Sequence, residues 1–121
     1  MAESIPPMVQ NQLVRFQEMQ QQYNAVIVRK QQYDIELKDV ERALQESTSL
    51  ADDAIIYKSV GVLLFKTEKA KIVAELTEKK EELELRLKTI EKQEQRLKTS
   101  MEELRKNIMS QVSGTLPSSG S

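Results

Sequence analysis

From Val9 to Leu44 the apolar residues recur at alternating spacings of three and four: Val9, Phe16, Met19, Tyr23, Val26, Tyr33, Leu37, Val40 and Leu44. Only Gln12 and Lys30 interrupt the series. The same alternation returns as Val73, Leu76, Leu83, Leu87, Ile90, Leu97, Met101, Leu104 and Ile108, with Lys80 and Glu94 as its interruptions. A repeat of about 3.5 residues held over about five heptads predicts a narrow coiled-coil seam rather than the wider apolar face of a globular helix. The expected elements are a helix over about 8–46, roughly 58 Å long at about 1.5 Å per residue, and a second over about 68–112.

The stretch between them follows a different period. Ala54 to Thr67 is rich in β-branched and aromatic residues, lies between Asp52-Asp53 and Thr67-Glu68, and holds Gly61. This composition predicts one β-hairpin over about 54–67, with strands Ile55–Ser59 and Leu63–Lys66 and its corner at Val60-Gly61, because glycine adopts positive φ without strain. The Ser47-Thr48-Ser49 run stops the first helix, since hydroxyl side chains compete for backbone partners. Thr67 reads as the N-cap of the second helix. A two-stranded hairpin is marginal alone in water and has two unpaired edges, so it calls for other chains.

Two helical repeats of similar length around a chain reversal predict one antiparallel helix pair, a mainly α fold, with the hairpin at its closed end and both termini at its open end. Residues 1–113 form one domain on this reading, and 114–121, with its Pro, Gly and Ser content, a disordered tail. Phe16 then lies level with Met101, Tyr33 with Leu83 and Leu44 with Val73. Lys30 falls near Glu84 and Glu91, Lys80 near Asp34 and Glu41, and Glu94 opposite Tyr23. Such polar seam positions set register and partner choice. Off the seam, Glu75 with Lys79, Glu84 with Lys88 and Glu102 with Lys106 have the favourable i,i+4 order.

Composition narrows the function. Charged residues make up 31% of the chain, yet 18 basic and 19 acidic side chains are interspersed to a net charge of -1, which offers no field for nucleic acid or an anionic membrane. Cysteine and histidine are both absent, which removes disulfides, thiolate metal sites and the commonest nucleophile and base pairs and suits a reducing compartment. The longest apolar run, Val60 to Phe65, is too short to span a bilayer. Asp52-Asp53 is turn chemistry rather than a metal pair. The expectation is a soluble cytoplasmic protein, not an enzyme, with no catalytic residues, cofactor or metal.

Two apolar sets remain as candidate sites. The hairpin residues Ile55, Ile56, Tyr57, Val60, Gly61, Val62, Leu63, Leu64 and Phe65 form the oligomerisation candidate. At the open end Ile5, Met8, Val9, Leu13 and Phe16 meet Met101, Leu104, Ile108, Met109 and Val112. Met8, Leu13 and Met109 lie off the seam, and methionine suits adaptable binding, so this tip is the candidate for holding apolar partners.

Three blocks carry a resemblance: Ile5-Pro-Pro-Met-Val-Gln, Asp52-Asp-Ala-Ile-Ile-Tyr-Lys-Ser-Val-Gly-Val-Leu-Leu-Phe-Lys-Thr, and Leu83-Glu-Leu-Arg-Leu-Lys-Thr-Ile-Glu-Lys-Gln-Glu. Across residues 5 to about 111 the chain resembles the prefoldin family. The space between Glu46 and Thr67 holds one hairpin, which is similar to the archaeal β-class rather than the two-hairpin α-class. The resemblance implies a hexameric ATP-independent chaperone of two α-class and four β-class subunits, whose hairpins form a double β-barrel platform. It further implies capture of unfolded polypeptides at coiled-coil tips and their delivery to a group II chaperonin. A structural coiled-coil adaptor is the alternative with the same fold.

Overall fold

The computed structural model describes residues 5–115. In chain order it comprises α1 (Pro7–Thr48), β1 (Ile56–Val60), β2 (Leu63–Thr67) and α2 (Lys69–Thr115). The chain divides into two compact units, Met1–Arg29 with Ile90–Ser121, and Lys30–Thr89. Helix α2 runs through Gly114 to Thr115, so these two residues are not the start of a tail. A glycine costs a helix interior about 1 kcal/mol and does not terminate it unaided. Residues 116–121 of the expected tail lie outside the described residues.

The three-four repeat reappears as burial. On α1 the shielded positions include 9, 12, 16, 19, 23, 26, 30, 33, 37, 40 and 44, and on α2 they include 73, 76, 80, 83, 87, 90, 94, 97, 101, 104 and 108. Gln12, Lys30, Lys80 and Glu94 therefore do occupy seam positions, half-buried among apolar neighbours. The side-chain oxygen of Gln12 is buried with no protein partner among the described residues.

In the unit that carries the chain ends, Val9, Leu104 and Ile108 form a buried cluster, with Phe16, Met19 and Val112 packed on it. Val26 and Ile90 are buried in the same unit. The N-terminal start of α1 and the last turns of α2 meet, where the Gln111 amide donates to the Met8 sulfur at 3.6 Å. Pro7 is the first helical residue and the Gln10 amide donates to the Pro6 carbonyl at 3.0 Å, so the missing proline N–H falls where a helix needs none.

In the other unit Leu83 is fully buried, and the Arg86 guanidinium lies 5.9 Å from the Tyr33 ring centroid. The seam lysine Lys80 pairs along its own helix. Lys80 reaches Glu84 at 4.0 Å rather than Asp34, whose carboxylate takes Lys38 at 3.1 Å. The i,i+4 spacing sets Glu84 on the same helix face as Lys80.

Helix α1 ends at Thr48 with its last carbonyls satisfied. Ser47 Oγ donates to Ala43 O at 2.7 Å, Thr48 Oγ1 to Gln45 O at 2.9 Å, and Ser49 Oγ to Glu46 O at 2.8 Å. The Leu50 amide closes on Ser47 O at 3.2 Å. Gln45, Glu46 and Ser47 are among the carbonyls that a helix end leaves without intrahelical donors, while Ser47 Oγ adds a second donor to Ala43 O.

Candidate functional site

β1 and β2 pair antiparallel with Val60 opposite Leu63, Ser59 opposite Leu64, Lys58 opposite Phe65, Tyr57 opposite Lys66 and Ile56 opposite Thr67. The corner is therefore Gly61-Val62, one residue later than Val60-Gly61, and Ile55 precedes the strand. Gly61 has φ 58°, and among the described residues no non-glycine residue has positive φ. Glycine at the first corner position, followed by negative φ, is the primed turn whose twist matches that of the strands. Thr67 ends β2 and is not the helix cap. Glu68 takes that place, its carbonyl accepting from the Ile72 amide at 3.1 Å.

Cross-strand partners share a face, so Ile56, Lys58, Val60, Leu63, Phe65 and Thr67 lie on one side and Tyr57, Ser59, Leu64 and Lys66 on the other. Both sides are exposed. Tyr57 and Leu64 remain 61% and 70% accessible, Leu63 and Phe65 58% and 50%, and Val62 at the corner is wholly exposed. Ile55 and Val60 are exposed as well, and Ile56 is half-buried. Among the described residues, none covers the outer part of this sheet. Bonding in a two-residue hairpin alternates from the closing Val60–Leu63 pair, so the amides and carbonyls of Tyr57, Ser59, Leu64 and Lys66 point outward along two open edges.

The base of the hairpin is fixed by two lysines. Lys58 Nζ meets Glu75 Oε2 at 2.8 Å, tying β1 to α2 and taking up the carboxylate expected to pair with Lys79. Lys69 Nζ donates to Leu50 O at 2.7 Å and Thr48 O at 3.1 Å, and approaches Asp52 Oδ1 at 3.4 Å. Sequence periodicity does not reveal this second contact. Its one signal is that a lysine opens α2, where it is unfavourable for that helix's own dipole.

The ten tip candidates separate by accessibility. Val9, Leu104 and Ile108 are buried, and Phe16, Met101 and Val112 are half-buried on the seam. Ile5, Met8, Leu13 and Met109 are exposed, as is Val14, which the seam pattern did not single out. Nearby, Arg105 holds Glu102 through Nε–Oε2 at 3.1 Å and Nη2–Oε1 at 2.7 Å, in place of the expected Lys106. That bond holds the Glu102 carboxyl below its ordinary pKa and raises that of Arg105. Among the described residues, no group of three or more acidic, histidine or cysteine side chains could hold a metal, and no helix is long and apolar enough to cross a membrane.

A seam-packed helix pair with an uncovered, edge-open hairpin defines the chain as a subunit built to associate. It belongs to the prefoldin subunit family, whose model matches residues 10–115. The chain is similar to the prefoldin subunit beta of Thermococcus kodakarensis, with 46% identity over 89% of this chain and 92% of the relative. It is 42% identical to the prefoldin subunit beta of Sulfurisphaera tokodaii, over 99% and 96% of the two chains. The crystal structure of the prefoldin beta subunit from Thermococcus strain KS-1 superposes with a TM-score of 0.85 at 44% identity, covering 96% of this chain and all of that one. The chain is thus a prefoldin chaperone subunit that assembles with other prefoldin subunits, and not an enzyme.

Proposed function

We propose that the chain is the β-class subunit of a cytoplasmic hexamer of two α-class and four β-class subunits, which holds unfolded polypeptides without ATP and passes them to a group II chaperonin. The observation that carries the reading is the hairpin, apolar and exposed on both faces with two open edges. Such a sheet is stable when its edges continue into neighbouring hairpins, and closure of the ring into a barrel removes every edge. Ile55, Ile56, Tyr57, Val60, Gly61, Val62, Leu63, Leu64 and Phe65 are the assembly residues.

Client capture falls to the unit that carries the chain ends. Ile5, Met8, Leu13 and Met109 offer apolar contacts to segments of no fixed sequence, while Val9, Leu104, Ile108 and Val112 hold the helices that present them. Phe16 and Met101 lie on the seam between the two roles. Several copies acting on one client add avidity, so weak single contacts suffice. The test is a light-scattering assay in which the assembled complex, without nucleotide, suppresses aggregation of two unrelated unfolded proteins. Protection of neither client, with tight binding to one folded partner, would replace the chaperone with an adaptor.

A further inference from the structure

Two clefts flank the seam in the unit with the chain ends, and they differ in chemistry. One, of about 190 Å³, is lined by Arg15, Met19, Ser100, Glu103, Leu104 and Asn107 and is mostly polar. The other, of about 210 Å³, lies between Phe16 and Tyr23 of α1 and Lys98, Met101, Glu102 and Arg105 of α2. Phe16 and Tyr23 are one heptad apart, so two aromatic rings and the Met101 thioether face the same space.

The charges at the rim select what enters. Glu102 is engaged by Arg105 through two hydrogen bonds, so these two charges largely cancel. Lys98 stands at the same rim outside that pair, so its ammonium is the charge left to meet a ligand. We propose that this cleft is a client subsite for a single aromatic side chain next to an acidic residue in an unfolded polypeptide. The ring packs between Phe16, Tyr23 and Met101, and the adjacent carboxylate meets Lys98. Leucine fills the space less well, because it brings neither the ring-edge contact with sulfur nor the face for a cation. The inference rests on the reading that the chain holds unfolded polypeptide, and it gives that function a preference.

Methionine methyl groups report on both clefts at once. The assembled complex is prepared with this chain labelled at its methionine methyls and titrated with soluble Gly/Ser peptides carrying Glu-Phe-Glu, Glu-Leu-Glu or Lys-Phe-Lys at the centre. The Glu-Phe-Glu peptide is expected to shift the Met101 methyl by ring current and leave Met19, in the polar cleft, in place. Lys98→Glu, an exposed change, is expected to weaken Glu-Phe-Glu by about two- to fivefold and to favour Lys-Phe-Lys. Equal response to Phe and Leu peptides, equal shifts at Met19 and Met101, or no effect of Lys98→Glu would overturn the subsite. If the peptides bind only through Met8 and Met109, capture by the chain-end unit stands and the cleft falls; if none binds, both fall.

Discussion

The Lys69 ammonium donates to the Leu50 carbonyl at 2.7 Å, so the first residue of α2 caps the chain just past the end of α1. The same group reaches Thr48 O at 3.1 Å and is shielded, with its side chain 19% exposed. Lys69→Met removes the donors, keeps the stem and leaves two carbonyls short of partners. It is expected to lower stability by about 1–2 kcal/mol, with Lys69→Arg losing less, as read from urea midpoints at constant slope.

The open edges can be tested one at a time. Leu64 and Ser59 point their amides away from the opposite strand, so proline at either position removes a donor meant for a neighbour and spares the pairing within the hairpin. Leu64→Pro is expected to leave helical circular dichroism nearly unchanged and to lower the mass of the complex formed with an α-class subunit. Ser59→Pro tests the β1 edge in the same way. A full-mass complex from both variants would exclude edge pairing as the mode of assembly.

Lys80 occupies a seam position that an apolar residue fills better. Its 4.0 Å contact with Glu84 is loose and both side chains are more than a third exposed, so the pair contributes at most a few tenths of a kcal/mol. Lys80→Leu is expected to raise stability by about 1 kcal/mol through burial, seen as a higher thermal midpoint. A lower midpoint would show that the lysine sets the register of the seam.

Glu102 provides a pH signature. Its folded-state pKa is depressed by the Arg105 hydrogen bond, so the bond's contribution is present above the unfolded carboxylate pKa and is lost as pH falls through the lower folded value. Carbon-detected titration of Glu102 is expected to show a midpoint below that of ordinary glutamates, and Arg105→Gln to return it to their range. Because the pair is exposed, high salt is expected to shrink the difference.

The two helices, their seam and its four polar interruptions were legible because a three-four period marks one helix face directly. The hairpin was legible from β-branched residues around Gly61, but its corner was misplaced by one. Glycine satisfies positive φ at either corner position, and it is strand twist, a property of the paired sheet, that selects the first. Lys69 was not legible, because its acceptors are backbone carbonyls 21 and 19 residues away. The cleft at Phe16 and Tyr23 was hidden for a related reason: periodicity marks the seam, while the residues that flank it depend on how the helices are rotated.

If the hairpin assembles the complex and the chain-end unit holds its clients, trimming the chain ends spares the first role and abolishes the second. Complexes built from the intact chain and from a chain lacking residues 1–16 and 101–121 are compared, at equal concentration and without nucleotide, for suppression of light scattering by two unrelated unfolded proteins. The trimmed chain is expected to form a complex of corresponding mass that no longer protects either client. Protection by the trimmed complex equal to that of the intact one would contradict the account and place client binding on the hairpin platform or elsewhere along the helices.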